Sequence, residues 1–126
     1  MADTIDSYRT VTPYLIVADG DAELRFLSDA FGGTTTSVDR RPDGTVMHAQ
    51  ITIGDSLVML GQGNAQWPPK PAALYLWVPD VDATYARALA AGAVSEMPPE
   101  DKPYGHRNAG VTDANGITWW IGAPVK

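Results

Sequence analysis

His48 and His106 are the two histidines of the chain, and with Arg107 they are the first side chains to weigh for chemistry. His48 sits mid-run in Thr45–Ile53, two residues before Gln50. An imidazole that titrates near neutral pH could act there as a general base or as a hydrogen-bond donor toward a ligand. It could equally satisfy a neighbouring group of the protein and do no chemistry. His106 stands at a loop-to-strand junction, where exposure to solvent is the plainer reading, and an unorthodox acid–base role is the sharper one. Arg107, at the end of Tyr104-Gly105-His106-Arg107, could hold an anionic group or a carboxylate of the protein itself. The two histidines with Glu96 or Glu100 match no metal-ligand spacing. No Ser-His-Asp arrangement, phosphate loop or dinucleotide fingerprint is present, since Gly61-Gln62-Gly63 follows a strand but opens no helix.

Rings are the other resource. Tyr14, Tyr75, Trp77 and Trp120 recur at positions that could line one concavity, where each large ring can bury roughly 150–250 Å² against a flat ligand. Two readings stand together here: an open pocket, or a cleft filled by its own rings as core. Trp67, in the Pro-rich stretch Gln62–Pro71, could close over a ligand or cover a partner subunit.

Composition narrows the function classes. The chain has 126 residues, a net charge of −6, 44% hydrophobic residues and no cysteine. Phosphate binding requires clustered Lys and Arg, so this charge argues against a nucleic-acid partner. It suits a cationic ligand only weakly, and solubility accounts for it as well. Without cysteine there is no disulfide, thiolate metal site or thiol nucleophile. The first residues are acidic and lack an apolar stretch, and no run approaches the ~18 apolar residues of a membrane span. The expected setting is cytoplasmic.

The elements that must position these residues come twice. Tyr14-Leu15-Ile16-Val17-Ala18-Asp19-Gly20-Asp21-Ala22 returns as Tyr75-Leu76-Trp77-Val78-Pro79-Asp80-Val81-Asp82-Ala83, and Tyr, Leu, Val, Asp, Asp and Ala each recur 61 positions later. Ala30 and Ala91, Leu60 and Ile121, Gly61 and Gly122 share that offset. The chain is expected to be one domain over 1–126: module one at about 9–61, a linker at 62–71 and module two at about 72–123.

Within module one, Val11–Val17 reads as a buried strand. Asp19 or Asp21 caps a helix with Leu24, Leu27 and Phe31 on one face, and Gly32-Gly33 ends it. Thr34–Arg40, Thr45–Ile53 and Ser56–Leu60 follow as an antiparallel meander with turns at Asp43-Gly44 and Gly54-Asp55. Module two repeats the order: a strand over Ala73–Val78, then a helix over Asp82–Ala91 with Val81, Tyr85, Ala88 and Leu89 on one face. A short strand at Val94–Met97 leads to a loop at Pro98–Pro103. A final hairpin joins Arg107–Thr112 to Ile117–Ile121 through Asn115-Gly116. Residues 1–9 read as an arm.

Alternation divides each strand between two faces. Leu15, Val17, Ala49, Ile51, Ile53, Leu74, Leu76 and Val78 suit the helix-covered face, and Trp119 joins them. Thr12, Tyr14, Ile16, His48, Gln50, Thr52, Met59, Ala73, Tyr75, Trp77, Thr118 and Trp120 fall on the other face, which is aromatic and mildly polar.

The doubled β-α-β-β-β order and three phrases resemble the vicinal oxygen chelate superfamily. They are Thr12–Asp19 leading to a helix ending Ala30-Phe31-Gly32, the His48-Ala49 to Gly54-Asp55-Ser56 hairpin, and the Tyr104–Arg107 to Asp113–Trp120 ending. Within that superfamily the chain resembles the glyoxalase/bleomycin-resistance/dioxygenase group and its PhnB-like members, over residues 9–123. The resemblance implies an α+β fold: two tandem βαβββ modules forming a curved, partly open mixed β-sheet barrel with the helices outside. It says little about reaction, because this fold hosts many chemistries.

Enzymes of that group usually hold a divalent metal on the first and fourth strands of each module. Carried over, those positions are Thr12, Met59, Ala73 and Trp120. None suits a catalytic Mg, Mn, Fe or Zn ion. The resemblance therefore implies a binding protein with no metal and no cofactor, taking an aromatic or amphipathic small molecule. The residues expected around it are Tyr14, His48, Gln50, Met59, Tyr75, Trp77, Tyr104, Arg107 and Trp120. Related drug-binding members pair two chains around each cleft, which implies a homodimer. The alternatives are an enzyme of the same superfamily using His48, His106 or a displaced metal, and a structural dimer module with filled clefts.

Overall fold

A computed structural model describes residues 8–126, so most of the N-terminal arm lies outside the described residues. The order is β1 (Tyr14–Val17), α1 (Gly20–Phe31), β2 (Thr34–Arg40), β3 (Val46–Ile53), β4 (Ser56–Gln62), β5 (Ala72–Trp77), α2 (Val81–Ala90), β6 (Val94–Asp101), β7 (His106–Thr112) and β8 (Ile117–Pro124). This is βαβββ twice. Each module forms a four-stranded mixed sheet, ordered β1-β4-β3-β2 in the first and β5-β8-β7-β6 in the second. In both, the first strand runs parallel to the fourth, and the remaining pairs are antiparallel.

Both helices start on the same device. The Asp19 carboxylate accepts from Ala22 N at 3.0 Å, and the Asp80 carboxylate accepts from Ala83 N at 3.0 Å, each satisfying a backbone donor that a first helical turn leaves free. Asp21, the other capping candidate, instead pairs with Arg40 at 2.9 Å. Gly32, with φ of 69°, ends α1 in the left-handed conformation.

Several boundaries differ from the sequence reading, for local reasons. β1 begins at Tyr14, not Val11, because Pro13 has no N–H to give a ladder; its carbonyl still accepts from Met59 N at 2.9 Å. On α2 the buried face is Val81, Thr84 and Ala88, while Leu89 is exposed. The Pro98–Pro103 stretch is not all loop, since β6 runs through Pro98-Pro99 to Asp101. Prolines are tolerated there because β6 is an edge strand, and a bulge between Met97 and Glu100 leaves Pro98 and Pro99 unpaired with β7.

The core is shared. Leu15, Val17, Leu24, Leu27, Ala49, Ile51 and Leu60 of module one form one cluster with Val81, Ala88, Val111, Ile117, Trp119 and Ile121 of module two. The two helices pack on each other. Asn115, in the β7–β8 turn, reaches across to α1: its Oδ1 accepts from Asp19 N, and its Nδ2 donates to Asp19 O and to Glu23 Oε1, at 2.9–3.0 Å. No helix among the described residues is long and apolar enough to cross a membrane.

Candidate functional site

Alternation on these strands sends one set of side chains to the shared core and the other to the faces turned away from it. Leu15 and Val17 are buried, whereas Tyr14, the first residue of β1, is 50% exposed. The second module keeps the parity on β8, where Trp119 is 1% exposed and packs its ring 5.3 Å from Phe31. Two ring-bearing faces result.

On the first, Tyr14, Ile16, Met47, Gln62 and Trp67 surround a cleft of about 460 Å³. The Tyr14 ring lies 5.7 Å from His48. Met59 stands directly across from both Tyr14 and Gln50. Gln50 is buried, and its Nε2 donates to Tyr8 Oη at 3.0 Å and lies 3.3 Å from His48 Nε2. An amide donating to Nε2 places the imidazole proton on Nδ1 and occupies the lone pair that a general base would use.

On the second face, Tyr75 and Trp77 stand 6.2 Å apart, and the His106 ring meets Trp77 edge-on at 4.8 Å and Tyr104 at 5.3 Å. Trp77 is 56% exposed. Asn108 lies beneath these rings, 7% exposed, its Nδ2 donating to Tyr75 Oη at 3.3 Å and Tyr104 Oη at 3.2 Å.

Glycine on neighbouring strands lets the rings lie across the sheet. A Cβ at Gly61 would stand 3.2 Å from Tyr14 Oη, and one at Gly122 would collide with the Tyr75 hydroxyl. These two contacts obey the 61-residue repeat. Gly110, opposite Trp120, carries that indole in the same way, because a Cβ there would overlap the six-membered ring. Gly110→Ala is expected to force the Trp120 ring off the sheet and cost about 1–3 kcal/mol through overpacking. Urea unfolding together with the near-UV circular dichroism of the tryptophans checks it; an unchanged spectrum would count against this seating of the ring.

Of the nine residues expected around a ligand, the structure therefore gathers Tyr14, His48, Gln50 and Met59 on one face and Tyr75, Trp77, Tyr104 and Trp120 on the other. Arg107 joins neither. Its parity on β7 turns it to the opposite side, where it pairs with Asp82 at 3.0 Å and Asp101 at 3.1 Å. Hydrogen bonds donated to Asp101 and Asp82 push its pKa further up, keeping the charge committed to protein carboxylates. Met47 and Asn108 escaped the sequence reading. Met47 reaches the first face because the β2–β3 register shifts between Asp39 and Arg40, and simple alternation misplaces a bulged residue. Asn108 was legible, being in phase with His106.

The donors a divalent metal needs do not come together. Thr12 lies ahead of β1 with its hydroxyl donating to Arg9 O at 3.3 Å, and Met59, Ala73 and Trp120 bring no hard ligand. Glu96 accepts from Thr112 and Glu100 pairs with Lys102, at 2.7 Å each, while His48 and His106 sit on different sheets. Among the described residues no group of three or more His, Asp or Glu side chains is arranged to hold an ion.

Residues 4–121 match the model of the Glyoxalase/Bleomycin resistance protein/Dioxygenase superfamily. The chain belongs to that superfamily. It is 33% identical over 127 residues to an uncharacterized protein of Mycobacterium bovis, covering 92% of this chain and 84% of that one. An uncharacterized protein of Mycobacterium tuberculosis is equally similar, with 75% of its length covered. Among solved structures, TioX from Micromonospora sp. ML1 superposes with a TM-score of 0.78 at 27% identity, over 94% of this chain and all 100% of that one. The PhnB protein from Bacillus cereus superposes at 0.72 with 22% identity, covering 91% and 99% of the two chains, a likeness of fold.

Proposed function

We propose that this superfamily member is a metal-free binding protein that sequesters an aromatic or amphipathic small molecule on its ring-lined faces, working as one domain and as a homodimer. The observation that carries the reading is the pair of exposed aromatic faces. Tyr14, Trp67, Tyr75, Trp77 and Tyr104 are all exposed, although burying such rings is strongly favourable. Rings that merely filled a cleft would be packed away, so the exposure speaks for an open site over a plugged one. It also supports pairing, because a second copy laid against either face would roof the cleft. Stacking and desolvation supply affinity without an ion. Acid–base chemistry by His48 receives less support, with Gln50 already on its Nε2.

The test is a thermal-shift screen across antibiotics, planar natural products, thiol conjugates and divalent metals. A ligand at a hundredfold its Kd stabilises the fold by about 2.7 kcal/mol, which such a screen resolves. Stabilisation by planar compounds, with no metal retained at one ion per chain, is the expected result. A tightly held Zn, Fe, Ni or Mn ion, or silence across every organic class, would overturn the proposal.

A further inference from the structure

Two carboxyl groups meet where the modules join. Glu23 lies on α1 of the first module, and Asp113 opens the turn between β7 and β8 of the second. Both are buried, Glu23 at 0% exposure, and Asn115 ties them together, its Nδ2 donating to Glu23 Oε1 and its backbone N to Asp113 Oδ1, each at 2.9 Å. Two ionised carboxylates so placed would repel in a medium that screens them poorly, so one must hold a proton.

The donors around them decide which. Asp113 Oδ1 accepts from Asn115 N at 2.9 Å and Ile117 N at 3.1 Å, and Oδ2 accepts from Trp119 Nε1 at 2.9 Å. Three N–H groups stabilise its charged form. Glu23 receives one donor, Asn115 Nδ2 on Oε1 at 2.9 Å, and its buried Oε2 receives none. A proton on Oε2 gives that otherwise unpartnered oxygen a hydrogen bond to donate.

We infer that Glu23 and Asp113 share one proton as a pH-sensitive latch between the two modules, closed while Glu23 is a neutral acid and opened when alkali removes its proton. Nothing in the aromatic faces or their ligand enters this inference. The other charges near the pair are few. Arg25 and Asp29, exposed on α1, line the same small cavity, Asp19 is occupied in capping α1, and the end of α2 with the turn after it contributes only Ala90, Ala91 and Gly92. Arg25 is the one cation on that cavity, too exposed to neutralise a second buried charge.

Burial, with Asp113 beside it, raises the Glu23 pKa from 4.5 to about 9. A carboxyl that binds its proton more tightly folded than unfolded adds most stability below pH 4.5 and loses that contribution as pH rises toward 9. Once Glu23 is ionised, two negative charges face each other across the junction. Because they sit on different modules, their separation parts α1 from the β7–β8 turn.

Glu23→Gln isolates the effect. Its Oε1 can keep the Asn115 bond and its Nε2 can donate as the acid does, yet it cannot ionise. Thermal unfolding from about pH 6 to about pH 10 is expected to show the parent chain losing Tm steadily and the Gln variant losing much less, with a gap of several degrees by the alkaline end. Carbon-13 NMR of the side-chain carboxyls in the parent chain supplies a second reading independent of how the variant folds. Glu23 should remain protonated at neutral pH and titrate in the alkaline range. Parallel melting profiles, or a Glu23 carboxyl that titrates in the ordinary acidic range, would overturn the latch.

Discussion

Asp113→Ala is expected to cost about 3–5 kcal/mol of folding stability, because it breaks a buried ionic network from its centre. The carboxylate accepts the Trp119 indole N–H and two backbone N–H groups of the β7–β8 turn, all within 3.1 Å. Alanine leaves each donor facing protein, and a buried donor without a partner costs about 1–3 kcal/mol. The loss spreads to the junction, since the same turn carries Asn115 to Asp19 and Glu23. Urea unfolding should show the midpoint falling with an unchanged slope. Asp113→Asn should recover part of the loss, because one amide oxygen can still accept. A loss under about 1 kcal/mol for alanine would mean that water reaches the turn and replaces the carboxylate.

Trp77→Ala is expected to do the reverse, leaving stability almost intact while weakening a bound planar ligand roughly tenfold to a hundredfold. Trp77 is more than half exposed, so truncation removes little from the core. Its ring stands between Tyr75 and His106 on the face the proposal assigns to the ligand. Equilibrium titration of a planar compound found in the thermal-shift screen, read by tryptophan quenching or calorimetry, checks the affinity. Thermal unfolding of the ligand-free variant checks the fold. Unchanged affinity would place the ligand on the Tyr14–Trp67 face instead or show that the rings serve only subunit pairing; an oligomer assay of the same variant separates these.

Much of the candidate site was legible because strand periodicity is rigid. Once Leu15 and Val17 were assigned inward, Tyr14 had to face outward, and the repeat carried the same parity to Tyr75 and Trp77. Arg107 has a charge that suits a ligand, but its parity on β7 turns it to Asp82 and Asp101. Asn108, one residue on, occupies the place that its position in β7 dictates.

By itself the sequence determined the doubled βαβββ order, an aspartate cap for the first helix and the division of rings from core, because these follow from backbone hydrogen bonding and side-chain period over a few residues. Only the tertiary structure decided that Met47 joins Tyr14, that glycines on adjacent strands seat the rings, and that Glu23, Asp113 and Asn115 meet across the module junction. Those contacts join residues far apart in the chain or shifted by a bulge. No local pattern encodes them, since they depend on how two packed halves dock around one core.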